Sequence, residues 1–332
     1  MQAEGAIASD ALASFERYLA DFLHAQLRND PVAQHLCYHF GLTDPASARR
    51  GKRVRPRLTM AAAAALGASA ETTFPACCAI ELLHNYSLIH DDIEDADTLR
   101  HGRQTVWAAF GLAHGINAGD AVGALAHIAL EPVMPRLGAS AAALMGLDLA
   151  RANFAMCQGQ ALDLALEGGA ITDLETYRQM IEGKTAALFA CACALGARCA
   201  GAAQEEVDRC RAIGCSFGMG FQIADDLSGI WGATAQTGKA AGGDLARRKK
   251  TYPVVWAQAH GVGRVKDTIA RTYASAEPLS DQGIAQLRDA LTSCGAYEAA
   301  QTAADNYFES ALEQAAGLRP LRDALETLRS NA

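Results

Sequence analysis

Apolar residues recur three or four positions apart along most of the chain, and this spacing predicts helices rather than strands. Residues 174–181 show it within the segment TDLETYRQMIEGKTAALFACACALGA, which begins at Thr172. Thr172 and Glu175 have the spacing of a capping box, which predicts that a helix begins here. Gly183 interrupts the apolar pattern and predicts a kink between two helical stretches.

Helical patterns continue along the whole chain, whereas alternating β-branched stretches are scarce. No low-complexity linker separates the patterns, and no long internal repeat is evident. We therefore predict one all-α domain spanning residues 1–332, with ten or more helices. The other predicted helices cover residues 10–28, 54–67, 72–96, 117–136, 140–166, 204–231, 250–259, 264–275 and 282–296, with one or two more from 299 to the end.

Charge and cysteine content narrow the class of protein. The net charge of −8 argues against nucleic acid or an anionic membrane surface as the main partner. Ten cysteines without a C-x-x-C pair fit a reduced, cytoplasmic setting. Apolar runs near 58–68 and 185–197 are shorter than the roughly 20 residues that a membrane span needs. No signal peptide is evident at the N-terminus, so we expect a soluble cytoplasmic protein without a membrane span.

The first acidic motif is a D-D-x-x-D pattern at Asp91, Asp92 and Asp95, directly after the apolar run ELLHNYSLI. Residues four apart share one helix face, so Asp91 and Asp95 would aim two carboxylates at one point. Oxygen ligands of this kind are what Mg2+ prefers. Taken alone, the motif could equally be an exposed acidic helix end.

A second acidic cluster favours a metal site over an exposed acidic helix end. The segment GFQIADDLSG places Asp225 and Asp226 after another apolar run, with Gln222 one turn earlier. Two carboxylate-bearing helices that face each other across a cavity would hold several metal ions. Metals held in this way call for an oxygen-rich anion, for which diphosphate is the natural candidate.

Basic residues accompany both acidic motifs, although the protein as a whole is acidic. A solvated surface is the usual explanation of one basic run, but three runs beside carboxylates or Gly-rich turns fit phosphate recognition better. The basic residues are Lys52, Arg53, Arg55 and Arg57 near the first helices, Arg100 after the first motif, and Lys239 and Lys249 after the second.

Taken in order, these segments resemble the trans-isoprenyl diphosphate synthases of the polyprenyl synthetase family, from about Gly51 to Pro253. The matching motifs are GKRVRP, ELLHNYSLIHDD, D-D-x-x-D, GKTAAL, GFQIADDLSG and TGKAAGGDLARRKKTYP. The resemblance implies a helical bundle around a central cavity, usually in a homodimer. It also implies a Mg2+-dependent transferase that joins isopentenyl diphosphate to allylic prenyl diphosphates.

The resemblance also implies a role for each matching residue. Asp91, Asp92, Asp95, Asp225 and Asp226 would hold Mg2+, with three ions in each site. Arg100, Lys184 and Lys239 would bind the allylic diphosphate, whereas Lys52, Arg55 and His84 would bind isopentenyl diphosphate. Thr185 and Gln222 would line the carbocation region. Lys249 matches a lysine beside the second motif.

The implied reaction is physically sensible. Mg2+ and cationic side chains stabilise the departing diphosphate, so the allylic C–O bond ionises. The double bond of isopentenyl diphosphate then attacks the cation, and a proton is lost. A water-poor pocket must protect the cation from hydrolysis.

The chain departs from the family pattern at three positions: Gly229 replaces a frequent third Asp, His101 replaces an Arg, and Arg50 replaces a Gly. His carries less charge than Arg at pH 7, so we expect weaker, pH-sensitive binding of isopentenyl diphosphate at His101.

Product length depends on the residues one turn before the first motif. Ser87 leaves room in the pocket, and the aromatic Tyr86 would form part of its floor. In the resembling family this pattern accompanies a C20 product, which makes geranylgeranyl diphosphate the first candidate and farnesyl diphosphate (C15) the second.

Three other functions compete with chain elongation. A terpene cyclase-like enzyme would use the same diphosphate site, but it would not need Lys52, Arg55 and His84. A non-catalytic subunit of a prenyl synthase would be expected to lose the acidic motif or Lys184. A Mg2+-dependent phosphohydrolase would need histidines spaced as metal ligands, and none shows that spacing.

Overall fold

A computed structural model describes residues 2–28, 31–42, 51–166, 172–232, 242–275 and 277–330. Helices dominate it, which confirms the predicted all-α class with ten or more helices. The helices are α1 (Gln2–Gln26), α2 (Pro31–His39), α3 (Val54–Ala65), α4 (Ala70–Glu94), α5 (Val106–Phe110), α6 (Leu112–Ile128), α7 (Met134–Leu137), α8 (Ala139–Leu166), α9 (Leu174–Ile181), α10 (Ala187–Cys199), α11 (Gln204–Trp231), α12 (Gly243–Ala246), α13 (Tyr252–His260), α14 (Arg264–Ala274), α15 (Asp281–Ser293), α16 (Ala296–Gln314) and α17 (Arg319–Arg329).

The chain forms two compact units. The prediction of one domain over residues 1–332 stays a prediction. The first unit comprises Met1–Arg151, Cys191–Arg211 and Leu318–Ala324, and the second comprises Ala152–Ala190, Ala212–Gly317 and Leu325–Ala332.

Helix α4 lies at the centre of the first unit. Its residues from Phe74 to Leu83 are all buried, because this stretch is almost entirely apolar on every side. The neighbouring thiols Cys77 and Cys78 are fully buried there and pack as small apolar residues. Helices α3 and α6 pack against α4.

A short β-hairpin follows α4 and was not predicted. Strands β1 (Leu99–Arg100) and β2 (Arg103–Gln104) pair antiparallel, with Arg100 opposite Arg103. Both turn residues have positive φ, 52° at His101 and 80° at Gly102. Two consecutive residues of this kind match the right-handed twist of a tight hairpin. The turn therefore presents His101 at the exposed tip.

In the second unit, a π-helical turn, Glu182–Ala186, lies between α9 and α10 at the position of the predicted kink. The turn forms where α8 passes unusually close. A Cβ atom on Gly159 would lie 2.7 Å from the carbonyl carbon of Gly183, and one on Gly183 would lie 2.7 Å from the Ala155 carbonyl oxygen. Only glycine allows the two backbones to approach so closely.

The predicted capping box at the start of α9 is wrong by one residue. Asp173, not Thr172, caps the helix: its Oδ1 accepts a hydrogen bond of 2.7 Å from the backbone N–H of Thr176. The Thr176 hydroxyl also donates to Asp173 Oδ2. Asp is at least as good an N-cap as Thr, and the competition between neighbouring candidates explains the shift.

The predicted helix over 117–136 is also divided differently. Helix α6 begins at Leu112, directly after Gly111 with φ 98°, and ends at Ile128. A 3-10 turn, Glu131–Val133, and the short α7 follow, each with a proline near its start. Proline lacks the N–H that a continuous helix needs at these points.

One helical segment, Leu174–Cys199, is long and apolar enough to cross a membrane by length and composition. Of its most apolar window, 78% is buried inside the protein. That burial matches a core helix.

The cap at α9 provides a test of local stability. We expect Asp173→Ala to lower the free energy of unfolding by about 1 kcal/mol, because the Thr176 N–H loses its acceptor. Urea unfolding measures the change. Thr172→Ala is the matched control and should cost less; the reverse order would restore Thr172 as the cap.

Candidate active site

The first acidic motif occupies the end of α4. Asp91 and Asp92 lie on its last turn, and Asp95 is the C-cap residue, whose N–H donates to the Asp91 carbonyl at 2.8 Å. Asp91 and Asp95 are partly exposed, whereas Asp92 is only 2% exposed. The three carboxylates therefore have different environments, although they are close in sequence.

Asp92 is engaged by Arg100, whose Nε donates to Oδ1 of Asp92 at 2.7 Å. Burial raises the pKa of Asp92 to about 6, and the guanidinium of Arg100 acts in the opposite direction. Metal binding by Asp92 and diphosphate binding by Arg100 stay predictions. Each would require this ion pair to open or to be shared with the ligand.

Trp107 fixes the chain after the motif, a role that the sequence did not indicate. Its indole N–H lies 2.8 Å from the Asp92 carbonyl oxygen and 2.9 Å from that of Asp97. The Thr105 hydroxyl donates to the same Asp97 carbonyl at 2.8 Å. These bonds hold the hairpin that carries Arg100 against the end of α4.

His84 lies at the centre of a group of cations in the first unit. Its pKa is well below the usual value, first because of burial and then because Arg55, Arg100, Arg53 and His39 are close by. Its Nδ1 has no hydrogen-bond partner among the described residues. The histidine is therefore neutral, and the guanidinium groups of Arg53, Arg55 and Arg100 lie close to it.

Arg55 belongs to this group, and burial lowers its pKa to about 10. Lys52, from the same predicted substrate site, is exposed, as is His101 at the hairpin tip. The structure thus brings Arg55 and His84 together, and nearby Lys52 remains accessible to a ligand in solution.

A polar network under this group was missed by sequence reasoning. Arg53 binds Glu16 at 2.6 Å and also pairs with Glu81. The Asn85 amide donates to Glu81 Oε1 at 3.1 Å, and its Oδ1 is 2.9 Å from the His39 Nε2. Glu81 and Asn85 are four residues apart within an apolar run, and that spacing was the available signal.

The network changes the interpretation of the first basic run. Arg53 compensates the two carboxylates of Glu16 and Glu81, so its role is structural. Burial also lowers the pKa of His39 to about 4, which keeps this ring neutral beside Asn85.

The second acidic motif lies on α11, where its two aspartates face different surroundings. Asp225 is exposed, whereas Asp226 is 6% exposed. Oδ2 of Asp226 accepts from the Tyr177 hydroxyl at 2.5 Å and from the Tyr252 N–H at 2.8 Å. Oδ1 accepts from the Gln222 amide at 3.1 Å. Burial raises the pKa of Asp226 to about 7, against the effect of these donors.

The π-helical turn presents Lys184 and Thr185. Lys184 forms an ion pair with Asp163 of α8, a residue that the sequence only weakly associated with the site. The Thr185 hydroxyl donates to Gln222 Oε1 at 2.7 Å. The Gly159–Gly183 contact therefore determines where both predicted site residues lie.

Lys249 and Lys239 are the remaining basic residues to which the sequence assigned a site role. Lys249 is exposed, and the Tyr273 hydroxyl donates to its backbone carbonyl at 2.8 Å. Lys239 lies outside the described residues. Both assignments stay predictions.

Gly229, the departure in the second motif, has a structural explanation. A Cβ atom at this position would lie 2.6 Å from the carboxyl carbon of Asp244, which is buried. Arg247 Nη2 pairs with Asp244 Oδ1 at 3.3 Å. Asp244 thus fills the space that a side chain at position 229 would need.

The predicted chain-length residues, Tyr86 and Ser87, lie on α4, and the Tyr86 ring faces α6. The Tyr86 ring rests against Gly123, where a Cβ atom would lie 3.1 Å from Tyr86 Cδ2. One turn along, the His90 ring lies closer still to Gly119, where a Cβ atom would lie 2.2 Å from His90 Nε2. The Ser87 hydroxyl donates to the His84 carbonyl at 2.9 Å. The serine side chain is small, so it adds little bulk beside Tyr86.

Among the described residues, no group of three or more His, Cys, Asp or Glu side chains forms a ready-made metal site. Mg2+ often uses one or two carboxylates and completes its coordination with water and substrate phosphates. The partly exposed Asp91 and Asp95 and the exposed Asp225 fit that requirement better than Asp92 and Asp226.

Comparison with known proteins agrees with the fold and the motifs. The polyprenyl synthetase family model matches residues 42–291. A (2E,6E)-farnesyl diphosphate synthase of Mycobacterium bovis is 39% identical over 286 residues, which cover 84% of this chain and 77% of that relative. A geranylgeranyl diphosphate synthase of Mycobacterium tuberculosis is 35% identical, with 90% and 87% covered.

Solved structures similar to this chain belong to the same class of prenyl synthases. The crystal structure of a polyprenyl synthetase from Streptomyces coelicolor has a TM-score of 0.89 and 32% identity, with 97% of each chain covered. A geranylgeranyl pyrophosphate synthetase from Pyrococcus horikoshii has a TM-score of 0.85 and 26% identity, with 99% of this chain and 98% of that one covered. The chain belongs to the polyprenyl synthetase family, which confirms the predicted resemblance and the predicted prenyltransferase class.

The Gly229–Asp244 contact can be tested by a double-mutant cycle. We expect Gly229→Ala to lower the free energy of unfolding by about 1–3 kcal/mol, since the new methyl group displaces the Asp244 carboxylate. In the Asp244→Ala background the same substitution should cost clearly less. Equal costs in both backgrounds, measured by urea unfolding, would show that Asp244 does not limit position 229.

Proposed function

We propose that this protein elongates allylic prenyl diphosphates by condensing them with isopentenyl diphosphate. The proposed product is geranylgeranyl diphosphate, with farnesyl diphosphate as the second candidate. Relatives of both kinds support this range, since the similar mycobacterial proteins are named for one product or the other.

The observation that carries the proposal is the group of cations around His84. Burial lowers the pKa of Arg55 and of His84, so the charged forms of both are disfavoured in the absence of a ligand. A diphosphate bound here would offset that cost, because an opposite charge close by stabilises the protonated form. The group is therefore suited to an anion, which chain elongation requires as a second diphosphate.

The proposed Mg2+ ligands are Asp91 and Asp95 on α4 in the first unit, and Asp225 on α11 in the second unit. When bound, Mg2+ supplies positive charge that favours loss of the allylic diphosphate. The proposed number of three ions follows the family resemblance alone.

Protein side chains supply the remaining functions in this proposal. Lys184, on the π-helical turn, would exchange its contact with Asp163 for the allylic diphosphate. The hydroxyl of Thr185 and the amide of Gln222 would lie beside the allylic cation. Lys52, Arg55 and His84 would orient isopentenyl diphosphate for attack, and Arg100 and Lys249 would add positive charge.

A terpene cyclase-like function is the second candidate, and the departure from the family pattern at Gly229 is a reason to consider it. The structure weakens that reason, because Asp244 occupies the space beside Gly229. A carboxylate is thus present at this point of the second unit although the third Asp of the motif is missing. Elongation therefore remains the better proposal.

We also propose a homodimer in a reducing, cytoplasmic setting. Large apolar side chains are exposed in the first unit, on α6 and on the start of α8, and a second copy of the chain would cover them. They include Leu112 at 54%, Ile116 at 45% and Leu147 at 45% exposure. All ten cysteines are free thiols, as expected in a reduced compartment.

The test is incubation of the purified protein with Mg2+, labelled isopentenyl diphosphate and, in turn, dimethylallyl, geranyl and farnesyl diphosphate. We expect label in prenyl diphosphates that stop at C20 or C15. Diphosphate release with a hydrocarbon and no incorporated label would instead establish cyclisation. Omission of Mg2+ and addition of EDTA should abolish incorporation.

The Tyr86–Gly123 contact leads to a prediction about product length. We expect Gly123→Ala to shorten the products, because the added methyl group pushes the Tyr86 ring off α6 and into the space for the growing chain. Tyr86→Ala should lengthen them. Product chain length, read after extraction, measures both changes.

Gly119→Ala is the matched control for this prediction. It displaces His90, one turn away on the same two helices, and should leave the product length unchanged. Equal shortening by both alanine substitutions would assign the effect to the general spacing of α4 and α6 instead of to Tyr86.

A further inference from the structure

A continuous set of hydrogen bonds in the second unit joins the π-helical turn to the interior. The Thr185 hydroxyl donates to Gln222 Oε1 at 2.7 Å, and the Gln222 amide donates to Asp226 Oδ1 at 3.1 Å. The Tyr177 hydroxyl and the Tyr252 N–H donate to Asp226 Oδ2 at 2.5 Å and 2.8 Å. We call Thr185, Gln222, Asp226 and Tyr177 the relay.

The direction of each bond in the relay follows from the carboxylate. Both oxygens of Asp226 accept hydrogen bonds, so the NH2 group of Gln222, which donates to Oδ1, faces Asp226. The amide oxygen of Gln222 is then turned toward Thr185 and accepts its hydroxyl proton. Thr185 therefore offers the lone pairs of its hydroxyl oxygen, not its proton, to a bound ligand.

This orientation suits a positively charged intermediate. Lone pairs directed at developing positive charge stabilise it, whereas a hydroxyl proton would oppose it. The orientation depends on Asp226 remaining in place, and Tyr177 is the donor closest to Asp226. Tyr177 is 1% exposed, so its hydroxyl has no access to solvent as an alternative partner.

The same contacts distinguish the two aspartates of the second motif. The two oxygens of Asp226 accept hydrogen bonds from three different segments, which are α9, α11 and the start of α13. Asp225 is exposed. A metal ion at Asp226 would have to replace hydrogen bonds that hold these segments together.

We propose that Asp226 and Tyr177 are positioning residues, which orient Gln222 and Thr185, and that Asp226 is not a direct ligand of Mg2+. This inference rests on the proposed prenyl transfer. It departs from the assignment that the family resemblance gave Asp226, and it adds Tyr177, to which the sequence motifs gave no role.

Loss of the relay should appear as leakage of the allylic cation. Once Gln222 is free to turn, Thr185 no longer presents its lone pairs, and the cation is held less well for attack by isopentenyl diphosphate. Water then captures it: a C–O bond forms, a proton is released, and a prenyl alcohol replaces the elongated product.

The first experiment compares wild type with Tyr177→Phe, using dimethylallyl diphosphate, labelled isopentenyl diphosphate and Mg2+. We expect the ratio of prenyl alcohol to elongated product to rise roughly tenfold, as for loss of a hydrogen bond to a charged group. Tyr307→Phe, a tyrosine of the same unit outside the relay, is the matched control. An unchanged ratio in Tyr177→Phe would overturn the role of Tyr177.

The second experiment separates positioning from metal binding and does not depend on Tyr177→Phe. Asp225→Asn should raise the Mg2+ concentration for half-maximal activity several-fold, whereas Asp226→Asn should raise the alcohol ratio and leave that concentration unchanged. An equal rise in the Mg2+ requirement of both variants would make Asp226 a metal ligand and overturn the proposal. If wild type itself forms no elongated product, the proposed function fails, independently of the relay.

Discussion

The contact between Gly159 of α8 and Gly183 is the constraint on which the second unit depends. It brings two backbones closer than any side chain would permit, and the helix accommodates it with a π-helical turn. Single π-helical turns of this kind occur frequently at functional sites. Here the turn carries Lys184 and Thr185, so a packing requirement and the placement of two site residues have the same cause.

Each acidic motif divides its aspartates between two tasks. In the first motif Asp92 is buried against Arg100, while Asp91 and Asp95 remain partly exposed. In the second motif Asp226 is buried among three donors, while Asp225 is exposed. One carboxylate in each motif thus orders the surrounding chain, and the others are at least partly exposed to solvent. A dense cluster of identical side chains can therefore serve both stability and binding.

The parts of the site that the sequence predicted are those with local signals. Helical spacing, the two acidic motifs and the irregularity at Gly183 all involve neighbours within a few turns. Asp173 displaced Thr172 as a cap because both residues are competent and only the backbone decides between them. The partners of Asp226 could not be predicted, because Tyr177 and Tyr252 are far away in sequence and lack a shared pattern. The hairpin was missed since each strand has only two residues.

The Gly229–Asp244 arrangement has a consequence for how this sequence can change over generations. A side chain larger than hydrogen at position 229 competes with the carboxylate of Asp244 for the same space. The two positions are therefore coupled, since an acidic residue at 229 would require the Asp244 side chain to move. Substitutions at 229 and 244 should have non-additive effects on stability, because a change at one position alters the packing around the other.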